Sequence, residues 1–162
     1  MRVSGFKVNG QSMTIPANIC TLTKIDLSLK KNYGTDIMLN VTAAIMFDGD
    51  RVFVARRCKG EFAGMWEFPG GKIMDGETPE QCLAREMMEE FDIQVQVGSF
   101  FAESMYRTSE GMIKLMAYRV KWTGGDITPN VHQEISWVKV NELKHFDILP
   151  ADQFFVKKLQ EK

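Results

Sequence analysis

From Met38 onward the apolar positions crowd into two short runs, "MLNVTAAIMF" and "RVFVARR", parted by Asp48-Gly49-Asp50. Runs of this length and composition around such a break predict two strands joined as a hairpin. In "TPEQCLAREMMEEF" the period lengthens to that of a helix, with Leu83 and Met87 on one face and Glu86, Glu89 and Glu90 on another. Thr78 is placed as its N-cap, Pro79 at the first helical position, and Gln81 to complete a capping box. Two-residue alternation returns in "IQVQV", "FFAESMY", "IKLMAYRVKW" and "EISWVKV", with breaks at Gly111 and Gly124-Gly125, before "PADQFFVKKLQ" closes the chain as a second helix. Strands surrounding two helices predict a mixed α/β domain. Ahead of it, "GFKVNGQSMTI" reads as a small hairpin about Asn9-Gly10. Residues 1–36 are therefore expected to be an N-terminal extension and residues 37–162 the main domain.

Composition narrows the function. With 162 residues, 44% apolar and 25% charged, the chain can bury the core of one globular domain. A formal net charge of −1 gives no basic field that would draw it onto duplex nucleic acid or a membrane surface, so a small-molecule partner is expected. No signal-like apolar segment opens the chain, and no run approaches a membrane span. The three cysteines, Cys20, Cys58 and Cys82, are odd in number and lack metal-type spacing. They indicate neither a disulfide framework nor a zinc site, and a reducing cytoplasm fits best.

The stretch from Asp75 to Asp92 gathers seven carboxylates, Asp75, Glu77, Glu80, Glu86, Glu89, Glu90 and Asp92, against the single base Arg85. Like charges three and four apart on a helix oppose one another by a few tenths of a kcal/mol per pair, an amount a surface helix ordinarily avoids by interleaving lysines. Two readings stay open on these residues alone. One is a solvated acidic face; the other is a site for a hard divalent cation, Mg²⁺ or Mn²⁺, whose charge would offset the cluster. Gly70-Gly71 ahead of the helix would let backbone approach another element or a phosphate closely, although such a pair is commonly a plain turn.

The order Gly71, five residues, Glu77, seven residues, then Arg85-Glu86-Met87-Met88-Glu89-Glu90-Phe91-Asp92-Ile93 resembles the Nudix box, Gly-x5-Glu-x7-Arg-Glu-U-x-Glu-Glu-x-Gly-U with U aliphatic. Every fixed position matches except the last glycine, which is Asp92 here, a residue that tolerates the left-handed conformation a helix-ending glycine would adopt. Beyond the box, "FVARR", "WEFPGGK", "HQEISWV" and "LPAD" extend the resemblance over residues 38–160, closest to MutT-like nucleoside triphosphate pyrophosphohydrolases, including those acting on CTP and dCTP. The first 36 residues have no recognised counterpart.

The resemblance implies a Nudix α/β/α sandwich with a mixed sheet and hydrolysis of a nucleoside triphosphate, 8-oxo-dGTP or a CTP/dCTP-like molecule, to monophosphate and pyrophosphate in nucleotide-pool sanitation. It implies Glu86, Glu89 and Glu90 as ligands of Mg²⁺ (Mn²⁺ as substitute), with Arg85 orienting them and Glu77 supporting Arg85. Relatives place the general base on a box glutamate or on a distal one, for which Glu134 is the candidate here. His132 reads as a surface or loop histidine. Gly70, Gly71 and Arg57 would face the substrate, Arg57 as a phosphate clamp. Asp152 would contact the nucleobase; ionised, it only accepts hydrogen bonds and would suit the amino group of cytosine or the N1–H edge of a guanine-like base. Helix capping is a competing use for Asp152. Trp66 and Phe68 could wall a base, and core packing is their plainer use.

Two other functions are set against this one. Hydrolysis of a nucleotide-sugar or dinucleotide (ADP-ribose-like) substrate is disfavoured because relatives acting on ADP-ribose usually carry a proline some fifteen residues beyond the box, and none lies between Pro79 and Pro129. A silent ligand-binding Nudix module would be expected to have a damaged box, and here the metal positions are intact. A homodimer is carried as a possible assembly.

Overall fold

The computed structural model describes residues 5–8, 11–14, 37–109 and 111–161. Strands β1 (Gly5–Val8) and β2 (Gln11–Thr14) pair antiparallel with Val8 opposite Gln11. A hairpin thus stands where one was expected, and its Asn9-Gly10 turn lies outside the described residues.

Strands β3 (Ile37–Asp48) and β4 (Arg51–Arg57) form the second expected hairpin, but they pair only at its closed end, Phe47 with Val52 and Asp48 with Arg51. Beyond that point the two strands part and each finds other partners. β3 runs parallel to β7 (Gly111–Gly124), which pairs antiparallel with β6 (Gln94–Thr108). β4 pairs antiparallel with β8 (His132–Lys139) and with the two-residue β5 (Trp66–Glu67). The result is a mixed six-stranded sheet of order β5-β4-β3-β7-β6, with β8 joined to β4. "IQVQV" and "FFAESMY", expected as separate strands, are one. The Gly98-Ser99 break is absorbed as a register shift between Val97 and Phe100, because a bulge accepts surplus residues without ending the ladder.

Helix α1 (Pro79–Phe91) lies on one face; a 3-10 helix (Val140–His145) and α2 (Gln153–Gln160) lie on the other. Ala44, Met46, Phe53 and Ala55 pack with Leu83, Met87 and Phe91, while Ala43, Ile45, Val52 and Val54 pack with Leu143, Phe155 and Leu159. Strands buried on both faces explain why these runs are nearly continuously apolar. Phe91 is fully buried and meets Phe53 edge-on at 5.3 Å; truncating such a ring to alanine costs about 3–5 kcal/mol.

α1 starts and stops as its sequence dictates. The Thr78 hydroxyl accepts from Gln81 N–H at 3.2 Å and the Gln81 amide oxygen accepts from Thr78 N–H at 2.9 Å. Asp92 ends the helix at φ 58°, ψ 29°, its N–H donating to the carbonyls of Met87 and Met88, so it adopts the left-handed cap that the motif's glycine would supply. Cys82 is free and buried. Cys58 is disulfide-bonded, which corrects the reading of the cysteines as unbridged; number and spacing do not reveal which thiols a fold brings together. No helix among the described residues is long and apolar enough to cross a membrane.

Candidate active site

Where β3 and β4 part, the segment after β5 fills the gap and runs against β3. Thr42 N–H donates to the Gly71 carbonyl at 2.8 Å, Ala44 N–H to Pro69 at 2.7 Å, and Ile73 N–H to Asn40 at 3.0 Å. The two glycines are required by contact. A Cβ on Gly70, at φ 155°, would collide with the Thr42 carbonyl, and one on Gly71 would land on the Glu86 carboxylate. The Gly71 carbonyl also accepts from the Thr42 hydroxyl at 3.2 Å and the Cys82 thiol at 3.5 Å. Burial pushes that thiol up to about 11, so it is a structural donor rather than a nucleophile.

Arg85 answers the crowd of carboxylates. Its Nε and Nη2 grip Glu77 as a fork at 2.8 and 3.0 Å, while Nη1 reaches Glu86 at 2.6 Å and Glu89 at 3.3 Å. A planar guanidinium suits this two-sided task, and lysine would not. The Arg85 hydrogen bonds hold the Glu77 carboxyl down to about 2. Glu86 shifts the other way because burial disfavours its charge more than Arg85 restores it, with Glu89 and Glu77 adding repulsion. Glu89 is the open member, its side chain 58% exposed. Glu90 is buried, its Oε2 has no hydrogen-bond partner, and burial pushes its carboxyl well above the usual range, with Glu67, Glu86 and Glu89 adding to the effect and Arg57 opposing it.

Across from α1, the end of β4 is bulged between Arg56 and Arg57, so that Arg56 lies opposite Glu134 and Arg57 opposite His132. Each arginine meets a carboxylate. Arg56 donates from Nε to the Gly64 carbonyl at 2.8 Å and from Nη1 to Glu134 at 3.4 Å, both side chains being about one-third exposed at 38%. Arg57 donates from Nη1 to Glu67 at 2.6 Å, and the other Glu67 oxygen stands 3.0 Å from Nε2 of His132. His132 is buried and its ring stacks on Phe91 at 5.0 Å, which corrects its reading as a surface or loop histidine. Phe68 is core, whereas Trp66 is half-buried against Phe146. Asp152 precedes α2 but makes no side-chain cap; it is 3% exposed and its Oδ2 accepts from the Phe68 N–H at 3.1 Å. Burial pushes its carboxyl well above the usual range.

The structure thus brings Arg85, Glu86, Glu89, Glu90, Glu77 and Gly71 into one cluster, while Arg57 joins Glu67 and His132, and Arg56 pairs with Glu134 as a separate contact. Glu67 was missed in the sequence. It stands inside "WEFPGGK", but its partners lie 10 and 65 positions away and nothing local marks the pairing. Among the described residues no three carboxylate, histidine or cysteine side chains already converge as a ligand shell. The donor set nonetheless fits a hard divalent cation: three carboxylates on one rigid helix, one of them buried with an oxygen that no donor satisfies.

Comparison with known proteins identifies the family. Residues 38–159 match the family described as NUDIX domain. The chain is 34% identical over 116 residues to the CTP pyrophosphohydrolase of Escherichia coli, covering 71% of this chain and 86% of that protein. It is 33% identical over 114 residues to the 8-oxo-dGTP diphosphatase of the same organism, covering 70% and 88%. Among solved structures, the E. coli ORF135 protein superposes with a TM-score of 0.70 at 31% identity, over 76% of this chain and 89% of that one. The MutT protein of Methanosarcina mazei, at 20% identity and a TM-score of 0.72, covers 80% and 97% and shares the fold.

Proposed function

Because the chain belongs to the NUDIX family, we propose that it hydrolyses a nucleoside triphosphate to the monophosphate and pyrophosphate, with residues 37–162 as the catalytic domain and residues 1–36 as an appendage to it. The observation that carries this reading is the graded acidic face of α1, from exposed Glu89 to buried and unsatisfied Glu90, facing an arginine at the end of β4. The names of the two E. coli relatives support it.

Glu86, Glu89 and Glu90 would hold Mg²⁺, with Mn²⁺ as a substitute, and Arg85 fixes Glu86 and Glu89 while Glu77 fixes Arg85. When bound, the cation supplies positive charge against the phosphate oxygens and acidifies water. Gly71, with no side chain, lets the loop close onto Glu86. Arg57 offers Nη2, which makes no hydrogen bond among the described residues, to a phosphate oxygen. Glu134, tethered by Arg56, is the base we assign for removing a proton from the attacking water.

Asp152 is the residue we assign to the base. Burial pushes its carboxyl towards the protonated form, in which it could donate one hydrogen bond and accept another. That pair matches the N3 and amino edge of cytosine and equally the O6 and N7–H edge of 8-oxoguanine. The discriminating experiment is kcat/KM on dCTP, CTP, 5-methyl-dCTP, dGTP, 8-oxo-dGTP, ADP-ribose and NADH, for the wild type and Glu89→Gln. A triphosphate should rank first and be lost in the variant; preference for ADP-ribose or NADH would refute the assignment. We place the enzyme in the cytoplasm with its substrates. The bridged Cys58 speaks against that, and alkylation of thiols at cell lysis decides it: modified Cys58 supports the cytoplasm.

A further inference from the structure

We propose that His132 and Glu67 are positioning residues that act as a strut, fixing the Arg57 guanidinium at a set distance from the carboxylates of α1. The inference rests on the reading of Arg57 as the phosphate-binding arginine.

Both strut residues are inside the protein while their load is at its surface. The side chains of His132 and Glu67 are 4% and 13% exposed, against 29% for Arg57. Glu67 uses one oxygen for Arg57 at 2.6 Å and the other for His132 at 3.0 Å, so neither is left to approach a cation. The inner end of the strut is seated on α1. The His132 ring lies nearly parallel to that of Phe91, at 13°, and the segment leading to it is sewn to the helix terminus: Thr128 N–H donates to Phe91 at 2.9 Å, Asn130 N–H to Glu90 at 2.8 Å, and the Asn130 side chain to Glu89 at 3.1 Å. The outer end is held by backbone, Arg57 N–H to Met65 at 2.9 Å and Gly64 N–H to Arg57 at 2.9 Å. A continuous path therefore joins the helix that carries Glu89 and Glu90 to the Arg57 guanidinium.

An arginine free to swing must be ordered each time substrate binds, whereas one already held by a carboxylate binds without that loss. The strut should therefore appear in KM more than in kcat. His132→Phe keeps the stack on Phe91 and removes the donor to Glu67; His132→Gln gives up the ring and its stack but keeps an N–H for Glu67. For the preferred triphosphate with Mg²⁺, we expect His132→Phe to raise KM roughly five- to tenfold, with kcat changed less than about twofold. His132→Gln should recover most of the loss. In an Arg57→Lys background, His132→Phe should add almost nothing, because its effect passes through Arg57. Should His132→Phe not fold, Glu67→Gln supplies the same comparison. An unchanged KM in a folded variant, or a full-sized effect in the Arg57→Lys background, overturns the strut. If Arg57→Lys alone leaves KM unchanged, it is the phosphate role of Arg57 that fails.

Discussion

Glu90→Gln should make the metal-free protein more stable while depriving it of stabilisation by Mg²⁺. Glu90 is 8% exposed, its Oε2 meets no donor, and its carboxyl is pushed well above the usual range by burial first and then by Glu67, Glu86 and Glu89. An unsatisfied buried acceptor costs about 1–3 kcal/mol, and a charged one more. Glutamine keeps the shape, gives up the charge and presents a donor to neighbouring carboxylates. We expect about 2 kcal/mol of added stability in EDTA, which for a chain of this size raises Tm by roughly 4–8 °C. The sign with pH follows from the raised folded-state pKa. The proton on Glu90 contributes stability fully below the ordinary glutamate range, and this is lost as pH rises through the folded value. The gap between variant and wild type should therefore be wider at pH 8 than at pH 5. With Mg²⁺ at a hundred times its Kd the wild type gains about 2.7 kcal/mol, and the variant should gain much less. Differential scanning calorimetry of both proteins, with and without Mg²⁺, reads all of this. A lower Tm for Glu90→Gln in EDTA, or equal Mg²⁺ shifts in the two proteins, would refute the reasoning.

Other outcomes follow from the same geometry. Asp92→Gly removes a left-handed non-glycine residue at φ 58° and should stabilise by about 0.5–1 kcal/mol in thermal or urea unfolding, with kcat/KM unchanged, because Asp92 touches no proposed ligand. Gly71→Ala puts a methyl on the Glu86 carboxylate and should lower kcat on the order of a hundredfold with little loss of helix content by circular dichroism. Glu77→Gln removes a carboxyl held down to about 2 by Arg85. The wild type should lose the stability of that pair as pH falls from the ordinary glutamate value towards 2, and acid titration of the variant should lack that component.

Much of this structure is legible in the chain because its causes are local. Thr78, Pro79 and Gln81 announce the start of α1 within four positions, and the spacing of Glu86, Glu89 and Glu90 places them on one face before any coordinates are known. The strand runs in β3 and β4 show as apolar stretches because both faces are covered. What stays hidden depends on distant pairing. The partnership of Glu67 with Arg57 and His132 joins three strands, and His132 is buried because Phe91 comes to lie beneath it. Asp152 stands where a cap residue would, and only the fold shows its carboxylate turned to the Phe68 N–H instead. β6 is one strand because β7 pairs with it across Gly98-Ser99, a tertiary override of a local break.

The most direct test of the central claim is the product set from a single triphosphate. The wild type would be incubated with dCTP or 8-oxo-dGTP and Mg²⁺, and the mixture followed by phosphorus NMR. Equimolar nucleoside monophosphate and pyrophosphate, absent with Glu89→Gln, is the predicted result. Release of inorganic phosphate and nucleoside diphosphate, or an intact triphosphate while the variant behaves like the wild type, would contradict it.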